Sequence, residues 1–176
     1  GKPLVCRMRK LLLWLIDSAA ALAALFLVGL LLMVLLSIVS RQLHFHVPGT
    51  DAYAGYLMAA SGFLALAHTL KKGEHIRVTL LINRLSGRAH RAFELWALGA
   101  ASLLATLFAF YSCRLAWQSY VFKDISTGND ATPLWIPQIA MALGTVVFAL
   151  ALIDELALEW RGQRQTAASD EALHNE

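Results

Sequence analysis

Few residues in this chain have the type and spacing to do chemistry. Asp17 interrupts the first apolar run, LLLWLIDSAAALAALFLV. An acid in a membrane span moves protons or pairs with a cation, and a self-contained four-span dimeric exporter would use it to exchange protons for a cationic substrate. It stands one turn past Trp14, an interfacial anchor, so a structural ion pair or hydration at the headgroups is the plainer role. His44 and His46 face the same way on an extended loop and offer two ligands to a metal, but no others lie nearby in sequence. The plainer reading is loop histidines exposed to solvent. Cys6 and Cys113 form no CxxC, which counts against thiol–disulfide chemistry. His68 is alone and near a span end, so no pair of mid-span histidines exists for haem. No Ser/His/Asp arrangement or phosphate-cradling glycine loop stands out, which leaves a membrane redox or transferase enzyme without ligands or nucleophile. No catalytic, cofactor or metal residue is assigned.

What must position these residues is a membrane bundle. The chain has 176 residues, 58% hydrophobic and 15% charged, with mean hydropathy +0.57. A soluble domain this small cannot bury that much apolar surface. The apolar residues fall in four blocks, each able to cross a hydrocarbon core of roughly 30 Å, which takes about 20 helical residues. The expected fold is an all-α integral membrane domain over 1–160: four transmembrane helices at about 11–39, 51–70, 92–111 and 137–158, plus a short amphipathic interfacial helix at about 74–85. A disordered cytoplasmic tail is expected at 161–176. The pI of about 9.1 reflects cations beside spans, where headgroups and topology explain them, and not nucleic-acid binding. The chain opens on Gly1, so leading residues are expected to be missing or replaced. The first block exceeds a signal-peptide core and reads as a retained span.

The basic stretch Lys71–Arg91, KKGEHIRVTLLINRLSGRAHR, is the one long polar interruption. As a helix from Glu74 it sets Val78, Leu81, Ile82 and Leu85 on one face, with Arg77 and Arg84 together away from it. Such a helix lies flat at headgroup level, either as a connector that fixes topology or as a docking element. Asp154, Glu155 and Glu159 end the fourth span on the same side, so ion pairs are expected from them to Arg77, Arg84, Arg88 and Arg91. Trp14 and Trp135 are read as interfacial anchors, and Pro137 as the start of the fourth helix. Ala97, Ala101, Ala105 and Ala109 repeat every four residues, a small-residue ridge for helix packing. Twelve of the fifteen basic residues fall in the segments read as inner; Arg41, Arg114 and Lys123 fall in the outer ones. That bias puts both termini in the cytoplasm. The central thirds of the spans hold no Asp, Glu, Lys, Arg or His, which argues for a subunit whose membrane surface is used for packing.

Three features carry a family resemblance. Span two runs into Leu70-Lys71-Lys72-Gly73-Glu74-His75-Ile76-Arg77-Val78. Span four is approached through Thr132-Pro133-Leu134-Trp135-Ile136-Pro137 and followed by Gly144. A basic connector joins the second and third of four spans. Over roughly 11–160 the chain resembles the small membrane subunit of tripartite ATP-independent periplasmic (TRAP) transporters, the DctQ type. It departs from the family in offering only Asp51 at the outer start of span two, and Thr79 where an acid often follows the Ile-x-Val run. The resemblance implies a bacterial inner-membrane scaffold beside a large DctM-type membrane subunit, which imports organic acids with sodium, and a periplasmic DctP-type binding protein that delivers them. It implies no enzyme activity and no cofactor here, sodium belonging to the large subunit. The outer-loop residues Arg41, His44, His46, Lys123, Asp124, Asn129 and Asp130 are then candidates to touch the binding protein. Membrane lipids are the other expected partner.

Overall fold

The computed structural model describes residues 2–71, 87–128 and 131–161. Four helices make up the fold: α1 (Lys2–Gln42), α2 (Thr50–Lys71), α3 (Arg88–Phe122) and α4 (Trp135–Trp160). The class is all-α, but the expected layout needs correction. Among the described residues there are four helices rather than five. Three of them, α1, α3 and α4, are long and apolar enough to cross a membrane, rather than four. α2 has 22 residues, so it falls short on apolarity and not on length. Gly55, Ser61, Gly62, His68 and Thr69 stand where the other helices carry large apolar groups. α2 packs against both α1 and α4 through buried residues that include Ala60 and Ala67, small side chains that let backbones approach, whereas Gly55 and Gly62 are exposed. The interfacial helix expected at about 74–85 and the tail beyond Arg161 lie outside the described residues.

α1 and α2 form an antiparallel hairpin. Along α1 a seam of half-buried to buried positions runs through Leu12, Ile16, Ala19, Ala23, Phe26, Leu30, Met33, Ser37 and Ser40. Their steps alternate between three and four, the spacing of a seam that stays on one face of a supercoiled helix. Towards the C-terminal end of α1, Leu31, Leu32, Leu35, Leu36 and Val39 are exposed. α3 repeats the pattern with smaller residues: Leu98, Ser102, Ala105, Ala109, Ser112, Ala116 and Ser119. Ala105 and Ala109 of the expected ridge lie on this seam. Ala101 lies beside it, packed on the core cluster of Ile16, Ala67, Leu70, Leu98, Ala151 and Leu152. Ala97 is half-buried one turn earlier.

α4 is the hub, packing on α3, on α2 and, more lightly, on α1. It runs parallel to α2 and antiparallel to α3. Gly144 makes the α2–α4 approach possible: a Cβ added there would lie 2.5 Å from the backbone carbon and oxygen of Phe63. α4 opens at Trp135, two residues before the expected Pro137. Pro137 falls in the first turn, where its missing N–H would have had no intrahelical partner.

α1 and α3 end alike. His44 (φ 58°) and Lys123 (φ 53°) occupy the left-handed region, and the following amides reach back, Phe45 N–H to Ser40 O (3.1 Å) and Asp124 N–H to Ser119 O (3.1 Å). This is the Schellman closure, which favours glycine. Lys123→Gly is therefore expected to stabilise the chain by about 1 kcal/mol by removing the left-handed cost of a β-carbon, read as a rise in thermal midpoint in detergent. Lys123→Val should lower it.

Candidate functional site

The polar residues buried within the bundle, such as Ser102, Ser112 and Thr145, are uncharged, and ion pairs lie at the helix ends. One end carries the start of α1, the end of α2, the start of α3 and the end of α4. There Lys71, the last residue of α2, reaches α4 and donates to Asp154 Oδ2 at 2.9 Å and Glu155 Oε1 at 3.2 Å. The three side chains are only 16%, 21% and 14% exposed. Lys71, from the head of the basic stretch, is thus one cation on these acids, and it was not among the arginines expected there. Of those arginines, Arg77 and Arg84 lie outside the described residues, and Arg88 is exposed in the first turn of α3. Arg91 donates from Nη2 to the carbonyl of Trp160 at 3.1 Å. A cation is poorly placed at the N-terminus of its own helix, but here it satisfies the C-terminal carbonyl end of the neighbouring one. Trp14 is 66% exposed, and Trp96 and Trp160 are more so.

At the other end the connection from α3 to α4 is built rather than loose. Ser126 N–H donates to Thr132 O at 2.8 Å and Leu134 N–H to Asp124 O at 3.0 Å, around an antiparallel bridge between Ile125 and Pro133. Two tyrosines of α2 pin it: Tyr56 donates to Ser126 Oγ at 3.0 Å, and Tyr53 Oη lies 3.2 Å from the Thr132 hydroxyl, which donates to it. Trp135 packs edge-on against Tyr120, with centroids 5.5 Å apart. The Pro-Leu-Trp-Ile-Pro run thus joins two helices and closes the loop at once. Tyr56→Phe is expected to cost about 1 kcal/mol, one net hydrogen bond, and to speed amide exchange at Ser126 and Leu134. Unchanged protection there would show that the backbone pairs hold the loop unaided.

The expected outer-loop residues share this end. Arg41 and Asp51 face each other at 3.7 Å, both largely exposed. His44 is exposed, its Nδ1 3.1 Å from Gln42 O, and His46 lines a cavity with Arg41, Thr50 and Asp51. Lys123 and Asp124 are exposed. Asn129 and Asp130 lie outside the described residues. Among the described residues no three His, Cys, Asp or Glu side chains are grouped to hold a metal ion, and both cysteines are free and exposed. The tyrosine clamp and Lys71 were missed in sequence as specific contacts. Lys71 carried a signal, since it ends an apolar helix on the side where three acids end another.

Three apolar helices joined through these ends make a multi-pass membrane protein. Residues 30–162, well over half of the chain, match the family described as tripartite ATP-independent periplasmic transporters, DctQ component. The chain belongs to the DctQ family. No curated protein matches it. The family match spans everything from the outer half of α1 through the end of α4, including the Lys71 cluster, the tyrosine clamp and Gly144. DctQ-family chains are non-catalytic transport subunits, so this chain is not an enzyme. Membership implies association with DctM-type and DctP-type components.

Proposed function

We propose that this DctQ-family chain is the scaffold subunit of a sodium-coupled TRAP transporter, fixed beside a large membrane subunit that carries organic acids delivered by a periplasmic binding protein. The match over residues 30–162 carries this reading, and the geometry supports it. The helix pairs are cross-tied at both ends by Lys71, Arg91, Tyr53 and Tyr56, as suits a part that holds still while another moves. The outer flanks of α1 and α3 expose large apolar side chains, Leu32, Leu35, Leu104 and Phe108 among them, to lipid and to the large subunit. The Lys71 end is cytoplasmic by its excess of cations, and the Arg41–Lys123 end faces the binding protein. The domain over 1–160 is then one scaffold with a cytoplasmic tail after it.

The exporter reading finds no support in the geometry. Ser18–Ser40 holds no charged residue or histidine, and its helix spans roughly 35 Å at about 1.5 Å per residue. Asp17 therefore stands at the edge of the apolar run and not in its middle, with its side chain exposed. Purification from native membranes in mild detergent tests the proposal. A stoichiometric large polytopic partner is expected. Recovery of the chain alone or as a homodimer would refute the scaffold role.

A further inference from the structure

The α1–α2 hairpin carries a two-part groove. At membrane depth, Met33, Val34 and Ile38 of α1 and Ala54 of α2 line an apolar cleft of about 230 Å³. It opens at its upper rim onto a polar cavity of about 330 Å³ that contains His46, Gly49 and Ser40. Ser37, Arg41, Thr50 and Asp51 line both. The uncharged stretch of α1 ends at Ser40, so Arg41 and Asp51 stand where hydrocarbon gives way to headgroups.

The charges at that rim form a loose, exposed ion pair. Arg41 Nη2 and Asp51 Oδ2 are 3.7 Å apart, beyond hydrogen-bond distance, and an exposed pair of this kind contributes little to stability. Each can therefore turn from that weak partner to an opposite charge of a third party. A guanidinium binds phosphate through paired N–H groups, while a carboxylate accepts hydrogen bonds from a primary ammonium. A molecule with an acyl chain for the cleft, a phosphate for Arg41 and a primary ammonium for Asp51 is an aminophospholipid. We propose that this hairpin groove is a binding site for a phosphatidylethanolamine-type lipid, with one acyl chain along Met33, Val34 and Ile38 and its headgroup bridging Arg41 and Asp51. Free phosphate lacks the chain, phosphatidylglycerol lacks the ammonium, and a quaternary choline lacks the N–H donors. The site rests on the membrane placement above but not on the large subunit.

The test uses the full chain purified with any subunits that accompany it. Native mass spectrometry follows retention of phosphatidylethanolamine against phosphatidylglycerol of the same acyl chains. The chain is expected to prefer the former by about fivefold, the size of one exposed charge pair. Asp51→Asn should abolish that preference, and Arg41→Gln should lower retention of both lipids. Both side chains are exposed, so thermal midpoints should be unchanged. Equal retention of the two lipids by the unmodified chain would overturn the proposal, as would a preference that survives Asp51→Asn. So would a photocrosslinker at Ile38 that captures polypeptide in place of lipid. Loss of the large subunit on purification would overturn the scaffold reading and leave the lipid preference standing.

Discussion

Gly144→Val is expected to cost about 3 kcal/mol or more and to push α2 and α4 apart. The reason is what a side chain would meet. A Cβ at 144 falls 2.5 Å from the carbonyl carbon and oxygen of Phe63 and 2.9 Å from its Cβ. Two of those atoms are helix backbone, so no rotamer change relieves the overlap and the helices themselves must move. Overpacking a close-packed site costs about 1–3 kcal/mol, and here the displacement also loosens the core shared by Ala151, Ala67 and Leu70. Gly144→Ala should show much of the loss. Gly62→Ala on α2 supplies the contrast, because nothing lies within 4 Å of a Cβ there. In the isolated chain it should be neutral or gain up to about 1 kcal/mol from helix propensity. Thermal unfolding in one detergent reads all three. If Gly144→Val unfolds at the midpoint of the unmodified chain, the close approach of α2 to α4 is not a feature of the folded protein.

Lys71→Met should rank with it. The substitution keeps the length and apolar stem of the side chain and removes only the charge, leaving Asp154 and Glu155 adjacent and mostly shielded from water. Removing one partner of a buried ion pair costs about 3–5 kcal/mol because the other charge stays behind. The remaining exposure of 14–21% lets solvent take up part of that, so about 2–4 kcal/mol is expected. Lys71→Arg should lose far less. Adding Asp154→Asn to Lys71→Met should recover part of the loss, because one of the two adjacent negative charges is gone. The unmodified contact should resist salt, since shielded pairs are screened less than exposed ones. A loss that disappears in high salt would mark it as a surface pair of little weight.

The residues that were readable in sequence are those whose signal is local. The apolar blocks that became α1, α3 and α4 stand out by length alone. The basic–acidic pairing at one end was legible as charge sign but not as partners, because sign carries no distance. Arg77, Arg84, Arg88 and Arg91 share that sign, and sign alone did not single out Lys71, which reaches Asp154 and Glu155. The faces of α1 were illegible for a different reason. Where nearly every residue is apolar there is no amphipathic contrast, and only the three–four steps from Ile16 to Ser40 show which side is packed. α2 misled for another reason. Its alanines Ala60 and Ala67 are buried on the packed side, but Gly55 and Gly62, which lower its apolarity, are exposed with nothing within 4 Å of an added Cβ, so its small residues do not share one role. Tyr53 and Tyr56 carried no local signal, because their bonds to Thr132 and Ser126 join residues seventy or more apart in sequence.

The regular seam on α1 has a consequence for alignment. A stripe that repeats every seven residues, much of it small, says which face of α1 meets α2 but hardly distinguishes one axial position from the next heptad along, roughly 10 Å away at about 1.5 Å per residue. The connection from Leu43 to Gly49, too short to follow a slide of that size and closed by the Phe45–Ser40 bond, chooses among these degenerate alignments. In this hairpin the face is written along thirty residues of α1, and the offset between the two helices is written in the seven residues that join them.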